Sequence, residues 1–101
     1  EAVIVWTIQQ TALGLPRGIR MNSVCPAAVS TGILDDFKSA FGPQVTAAIE
    51  RAGRASAPDE VADLALFLAS DASRWIKGAE YKIDGGIGAF RVAATMGLIE
   101  T

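Results

Sequence analysis

Very few side chains in this sequence are suited to covalent or acid–base chemistry. The 101 residues include no histidine, so neither a Ser-His-Asp nor a Cys-His arrangement nor a histidine-ligated zinc site can form within the chain. The single cysteine, Cys25, could act as a nucleophile if a nearby cation or helix N-terminus lowered its pKa. A lone thiol in an apolar segment is more often packed and unreactive. Hydrolase chemistry is therefore not expected, and we assign no metal ligand.

Two other patterns are similar to functional motifs but have simpler explanations. Asp35 and Asp36 are adjacent, and adjacent side chains on a helix point in different directions, so a solvated face is expected rather than an acid/base pair. The run Gly85-Gly86-Ile87-Gly88 matches part of a dinucleotide-binding fingerprint, but Arg91 replaces the third glycine and no capped helix clearly follows. Isolated glycine pairs usually mark turns, and we expect a turn here.

The stretch from Pro26 to Thr31 is the remaining candidate site. Pro26 follows a predicted strand, and proline ends a strand ladder because it lacks a backbone donor. Thr31 precedes a predicted helix, and a threonine hydroxyl commonly caps the free N–H groups of such a helix. On the residues alone this structural interpretation is the simpler one. The alternative is that the loop contacts a ligand beyond the end of the strand.

The elements that would position this stretch follow the order helix, strand, helix, helix, helix, strand, tail. Periodicity and breakers predict a helix over Glu1–Leu13, a second that Thr31 caps and that runs to Phe41, and a helix from Pro58 to near Ser70 or Asp71. Gly42 and Pro43 could close the second helix, or Pro43 could equally begin a further one over Pro43–Ala52. Strands are predicted over Ile19–Cys25 and Glu80–Asp84. The first segment is ambiguous because Val3-Ile4-Val5 favours a strand. Its length favours a helix, which we expect to be covered on two sides.

Residues 87–101 are weakly patterned and are predicted to form a tail that docks against the rest of the chain. The strand that follows the first helix suggests a parallel crossover unit. Parallel sheets normally have several strands and are covered on both faces. Two strands are too few, so the missing strands must come from elsewhere.

Composition narrows the class of protein. Half of the residues are apolar, which is high for a free-standing domain of this size and suggests that partner subunits or the rest of a larger core cover them. The net charge is −2 and the charges are scattered, so nucleic acid is not an expected partner. Apolar stretches end well before about 18 residues, so no membrane span is expected. No export signal is visible, and the cytoplasm is the expected location.

Two blocks of residues resemble one protein family. The first is Ile19-Arg20-Met21-Asn22-Ser23-Val24-Cys25-Pro26-Ala27-Ala28-Val29-Ser30-Thr31, which is similar to a segment written as Asn, three residues, Pro-Gly, then a branched aliphatic residue and Thr. The second comprises Arg54, Pro58, Glu60-Val61-Ala62, Leu66-Phe67-Leu68-Ala69-Ser70-Asp71, Gly78 and Ile83-Asp84-Gly85-Gly86. On these blocks the chain is identified as a member of the short-chain dehydrogenase/reductase family, and as its C-terminal part.

The resemblance implies an α/β fold, namely the C-terminal part of a doubly wound Rossmann-type parallel sheet with its last two strands and their helices. Residues 1–101 would form a single partial domain in which 87–101 is the C-terminal tail. The resemblance also implies that the loop meets the nicotinamide half of NAD or NADP, two cofactors that it does not distinguish.

Four residues of the loop are implied to bind this cofactor. Pro26 would lie against the nicotinamide ring, Val29 would offer backbone groups to the carboxamide, and the Thr31 hydroxyl would bond it. Ala27 stands where the family has glycine. Its methyl group disfavours a positive φ, so the loop path must shift if it needs that conformation.

The family's catalytic residues are not in this sequence. The resemblance places the Tyr-x-x-x-Lys pair on the helix that Glu1 continues, so that the lysine would come immediately before Glu1. The glycine-rich phosphate loop, the residue that selects between NAD and NADP, and the catalytic serine would lie further upstream. No residue here replaces the Tyr–Lys pair, so we assign no catalytic residue. The chain is expected to be inactive alone.

The substrate is expected to be a hydrophobic alcohol or ketone. In the family, the segment between Thr31 and Gly53 covers the substrate, and here it carries the apolar residues Ile33, Leu34, Phe37 and Phe41. The same residues could equally form core packing. Three stretches resemble those of coniferyl-alcohol dehydrogenases and the related 3α-hydroxysteroid dehydrogenase/carbonyl reductases: Val5-Trp6, Arg20-Met21-Asn22 and Ile33-Leu34 through Phe37.

The expected partners are the upstream half of the same fold and further copies of the chain. The resemblance implies a homodimer or homotetramer paired through the last helix and the last strand. A rival interpretation is a truncated, non-catalytic module that binds a protein partner through exposed apolar faces. A third is that this chain is the ordered part of a longer polypeptide whose first half has been cleaved away or is not included in this sequence.

Overall fold

The computed structural model describes residues 1–100, and for Phe37 and Phe41 it describes the backbone alone. The helices are α1 (Ala2–Gly14), α2 (Leu34–Phe41), α3 (Pro43–Ala52), α4 (Pro58–Ala69) and α5 (Ile87–Thr95). Short 3-10 turns cover Leu15–Arg17 and Asp71–Ser73. Strands β1 (Ser23–Pro26) and β2 (Glu80–Ile83) pair in a two-stranded parallel sheet. The architecture is therefore α/β, with α2, α3 and α4 in the crossover between the strands.

The residues group into two compact units. Unit 1 comprises Glu1–Cys25 and Asp59–Lys82, and unit 2 comprises Pro26–Pro58 and the residues from Ile83 on. Unit 1 thus holds α1, nearly all of α4 and most of the sheet. Unit 2 holds α2, α3, α5 and the loop after β1.

Helix α1 in unit 1 packs through its small residues. Thr7, Thr11 and Gly14 lie on one side of the helix at spacings of four and three, and Thr7 is only 3% exposed. The hydroxyls of Thr7 and Thr11 each donate to the carbonyl four residues earlier, at 2.7 Å. Ile4 is half-buried, but the other large apolar side chains of α1 remain more than half exposed: Val3, Val5, Trp6, Ile8 and Leu13. The helix is confirmed, but within the described residues it is not covered on two sides.

Strand β1 is shorter than predicted because the segment before it is held by side-chain contacts. The side-chain amide of Asn22 makes both contacts: its Nδ2 donates to the Ile76 carbonyl at 3.0 Å, and its Oδ1 accepts from the Ala79 N–H at 2.9 Å. Gly78, whose φ is +76°, donates to the Met21 carbonyl at 2.7 Å. The segment that precedes β2 turns at this glycine, so regular pairing between β1 and β2 begins only beyond it. Pro26 is the last residue of the strand rather than the first beyond it.

The C-terminal end of helix α4 is bonded by the side chain of Arg20, a residue distant in sequence. Arg20 Nη1 donates to the carbonyls of Leu68 and Ser73, at 3.1 and 2.9 Å, and to the Ser73 hydroxyl at 2.7 Å. The last carbonyls of a helix have no partners within it, and a positive charge there complements the helix dipole. Ser73 is 1% exposed, so this contact is largely shielded from water.

Unit 2 is built on α3, which packs against both α2 and α5. The predicted apolar side of α3 is confirmed, since its members are all half-buried: Val45, Ala48, Ile49 and Ala52. Gly85, with φ +65°, lets the chain pass close to the end of α3, because a Cβ on it would stand 2.9 Å from the Ala52 Cβ.

Residues 87–101 contain a helix that the sequence did not predict. Gly86 has a φ of +89° and forms the N-cap of α5. The helix has only a weak apolar pattern because Ile87 is its one buried side chain. Ile87 is 7% exposed and is the only buried hydrophobic residue among residues 1–100 with described side chains. Neither unit therefore encloses a sizeable apolar core.

Candidate functional site

The candidate site is the loop that leaves the C-terminal end of β1 in unit 2. Pro26 and Ala27 open the loop and are both exposed. Val29 is half-buried and Thr31 is exposed. The four residues predicted to bind a cofactor are thus brought together on one short stretch at the end of a parallel strand, where ligands bind in open α/β sheets.

A backbone bridge fixes the path of this loop. Val29 and Ser56 form an isolated parallel bridge, in which the Ser56 N–H donates to the Ala28 carbonyl at 2.9 Å and the Ser30 N–H donates to the Ser56 carbonyl at 2.7 Å. The segment that joins α3 to α4 therefore holds the loop in an extended form. Ser56 could not be recognised from the sequence, because a backbone contact of this kind leaves no residue-type signal.

The polar groups that remain free in the loop include the Val29 N–H and the Thr31 hydroxyl. Both hydrogen bonds of the bridge run through the neighbours of Val29, so the Val29 N–H has no acceptor among residues 1–100. The Thr31 hydroxyl likewise has no hydrogen-bond partner among those residues. Unpaired polar groups at the surface are available to a ligand, because they lose no internal hydrogen bond when they bind one.

The prediction that Thr31 caps the next helix is wrong. The N-cap of α2 is Ile33, and no side chain bonds the free N–H groups of this helix. Thr31 takes part through its backbone, since its N–H donates to the Val29 carbonyl at 2.9 Å and its carbonyl accepts from Leu34 at 3.1 Å. The chain makes an extra turn before it becomes helical, and this turn separates the hydroxyl from the helix end.

The loop accommodates Ala27 without strain. No non-glycine residue within residues 1–100 has a positive φ, so the backbone at position 27 stays in the region that alanine readily adopts. The departure from the family's glycine does not force an unfavourable conformation.

Cys25 is poorly suited to act as a nucleophile. Burial raises the pKa of its thiol, and the negative charge and hydrogen bond of Glu80 raise that pKa further. The Cys25 Sγ lies 3.7 Å from the Glu80 Oε1. Because the reactive species is the thiolate, a raised pKa lowers reactivity near neutral pH. The inert interpretation of Cys25 is supported.

Two charge-removing variants test this environment. Glu80→Gln removes a negative charge that raises the thiol pKa, so Cys25 should react with iodoacetamide several-fold faster at pH 8. Lys82→Gln removes a positive charge that lowers the same pKa, and it should slow the reaction. Mass spectrometry at timed intervals gives both rates on the complete protein. Equal rates in the two variants would rule out Glu80 as a cause.

In the glycine run after β2, two backbone N–H groups are bonded by the side chain of the preceding residue, Asp84. The Asp84 carboxylate accepts from the N–H of Gly86 at 3.0 Å and from the N–H of Gly88 at 2.9 Å. Amides bonded in this way are not free to hold a phosphate, so the expected turn is confirmed. An aspartate before two glycines is a recognisable signal for such a side-chain-bonded turn.

The described residues show no acid/base pair at Asp35 and Asp36 and no group of metal ligands. Asp35 and Asp36 are both exposed in the first turn of α2, as expected for a solvated face. In the described part of the chain no three His, Cys, Asp or Glu side chains are grouped so that they could hold a metal ion. Across the same residues, every helix is too short or too polar to cross a membrane.

Comparisons with known proteins agree on one family. A family model described as enoyl-(acyl carrier protein) reductase matches residues 2–88. A coniferyl-alcohol dehydrogenase from Pseudomonas sp. (strain HR199 / DSM 7063) is 37% identical over 89 residues, which are 86% of this chain and 35% of that protein. The crystal structure of an oxidoreductase of the short-chain dehydrogenase/reductase family from Burkholderia thailandensis superposes with a TM-score of 0.73 at 34% identity, over 99% of this chain and 41% of that one.

A further structure adds a bound ligand. A 4-hydroxyisoleucine dehydrogenase complexed with NADH superposes with a TM-score of 0.74 at 26% identity, over 87% of this chain and 37% of that one. This chain spans about one third of the length of the curated relatives it matches. The matches therefore describe one part of a larger fold.

Proposed function

Because this chain belongs to the short-chain dehydrogenase/reductase family, we propose that the complete protein transfers a hydride between a nicotinamide dinucleotide and an alcohol or ketone. The family also establishes the fold, since the chain superposes on the C-terminal part of a doubly wound Rossmann-type parallel sheet. NAD and NADP are both compatible with this proposal.

The observation that carries the proposal is the pair of free polar groups at the end of β1. A carboxamide has one acceptor oxygen and an NH₂ group with two donors. The Val29 N–H can donate to the oxygen, and the Thr31 hydroxyl, which can donate or accept, can bond the same carboxamide. The donor set of the loop thus fits a nicotinamide carboxamide.

The loop residues would orient the ring. Pro26 and Ala27 are exposed at the strand end and offer an apolar surface to one ring face. The bridge to Ser56 restrains the loop, so the carboxamide would be held in one orientation and a single ring face presented to the substrate. When bound, the nicotinamide supplies or accepts the hydride.

The acid/base residues would come from sequence before Glu1, because no residue of this chain can replace a Tyr–Lys pair. A hydrophobic alcohol or ketone is the substrate class we propose, in keeping with the coniferyl-alcohol dehydrogenase among the relatives. Ile33 is exposed and Leu34 is half-buried at the start of α2, so both can contact it. The predicted roles of the Phe37 and Phe41 side chains lie outside the described part of the structure.

The proposed partners are the upstream half of the fold and a second copy of the chain. The exposed apolar side of α1 fits cover by the upstream half. Leu66 on α4 and Trp75, which is 90% exposed, are apolar side chains that a second copy could cover. They support pairing between copies through α4 and β2. A homodimer or homotetramer remains our prediction.

The Thr31→Val variant tests the cofactor loop. Valine keeps the branched shape but removes the hydroxyl, so the Kd for the dinucleotide should rise about five- to ten-fold, the value of one neutral hydrogen bond. The free energy of unfolding should change by less than about 0.5 kcal/mol, since the hydroxyl has no partner to lose within the described chain. Fluorescence titration with NADH and NADPH and urea unfolding provide the two measurements.

Two further variants serve as controls. Thr31→Ser retains the hydroxyl and should restore the affinity, whereas Thr46→Val changes an exposed threonine on α3 and should leave it unchanged. A Thr31→Val protein that binds the dinucleotide normally but is less stable would contradict the proposed role and favour a structural one. A complete protein that binds neither dinucleotide would instead support the non-catalytic module.

A further inference from the structure

Helices α3 and α5 flank an open cleft whose lining includes no residue of the Pro26–Thr31 loop. Both helices belong to unit 2 and pack against each other. The cleft has a volume of about 470 Å³, within the range of small-molecule sites. It is lined by Gln44, Ala47, Ala48, Arg51, Ile87, Phe90 and Arg91.

One wall of the cleft is apolar and well fixed. Ile87 is 7% exposed and Phe90 is half-buried. Opposite them, Ala47 and Ala48 have short side chains and leave the space open. A flat apolar molecule can therefore bury its surface against this wall, which is the main source of affinity in such sites.

Two arginines flank this wall with uncompensated positive charge. Arg51 and Arg91 are exposed, and neither forms an ion pair with a carboxylate among residues 1–100. The Arg51 Cζ lies 3.9 Å from the centroid of the Phe90 ring, so the ring restrains the guanidinium. Stacking occupies the face of a guanidinium and leaves its in-plane N–H donors free for a carboxylate.

We propose that this cleft binds a small carboxylate with an apolar, preferably aromatic, body. The carboxylate would lie between Arg51 and Arg91, and the apolar body would lie against Ile87 and Phe90. Because the stack on Phe90 already restrains Arg51, its hydrogen bond costs less side-chain entropy than one from a freely moving arginine. The inference does not depend on hydride transfer, since binding to the cleft can be measured directly.

Isothermal titration of the complete protein with 3-phenylpropionate tests this site, with the uncharged 3-phenylpropanamide as the matched ligand. The carboxylate should bind at least ten-fold more tightly than the amide, the ratio expected for one charge-assisted hydrogen bond. Arg51→Gln and Arg91→Gln should each weaken carboxylate binding about ten-fold. Arg17→Gln, which changes an exposed arginine in unit 1, should change it less than two-fold.

A third variant distinguishes binding inside the cleft from a general attraction of the carboxylate to positive charge. Ala47→Phe fills the space between the helices while keeping both arginines, and it should abolish binding of the carboxylate. The proposal is overturned if the amide binds as tightly as the acid, if Arg17→Gln has the same effect as the cleft variants, or if Ala47→Phe leaves binding intact. Normal dinucleotide binding in all variants would show that the cleft and the cofactor loop are independent.

Discussion

Replacing Arg20 with methionine is expected to lower the free energy of unfolding of the complete protein by about 3 kcal/mol. One guanidinium nitrogen serves three acceptors on Leu68 and Ser73, and methionine fills similar space without any donor. The Ser73 hydroxyl has a single proton, which it can donate to Leu68 or Ser70, so it cannot satisfy every carbonyl that Arg20 leaves. The end of α4 would therefore lose both hydrogen bonds and a favourable charge.

Urea unfolding followed by circular dichroism measures this effect. Arg17→Met is the matched control, because Arg17 is exposed in the neighbouring 3-10 turn, and its unfolding free energy should change by less than about 0.5 kcal/mol. Arg20→Lys should fall between the two, since lysine keeps the charge but not the planar donor geometry. Equal stability losses for Arg20→Met and Arg17→Met would show that the contact at the end of α4 adds nothing.

Much of the fold could be predicted from local signals. Pro43 and Pro58 at first helical positions and Gly53 after the last one mark the bounds of α3 and α4, and the structure has both helices at these places. Alternation of polar and apolar residues located β2 within one residue. These signals succeed because proline and glycine act on the backbone at their own position.

The features that the sequence did not reveal depend on contacts between distant residues. Helix α5 has weak periodicity because few of its side chains are buried. The role of Arg20 depends on residues about 50 positions away. Residue type alone predicted Thr31 as the N-cap of α2, but the N-cap in the structure is Ile33. At the candidate site, the motif located the loop, but only the bridge between Val29 and Ser56 shows which polar groups remain free.

The second large effect is expected when residues 1–101 are produced without the preceding part of the proposed complete protein. The apolar side of α1 is open, with Trp6 and Leu13 at 52% and 64% exposure. Strand β1 has β2 as its only strand neighbour among the described residues, and a two-stranded sheet is marginal in water. The apolar burial in each unit is too small to offset the conformational entropy lost on folding. Residues 1–101 alone should therefore lack a cooperative fold.

The central claim is that this chain completes its core, and positions its cofactor loop, only against the upstream half of a short-chain dehydrogenase/reductase domain. Urea unfolding of residues 1–101 and of the complete protein, followed side by side by circular dichroism, tests it most directly. We predict one cooperative transition for the complete protein and a gradual, non-cooperative change for residues 1–101. A sharp transition in residues 1–101 alone, with an unfolding free energy of about 5 kcal/mol or more, would contradict the claim.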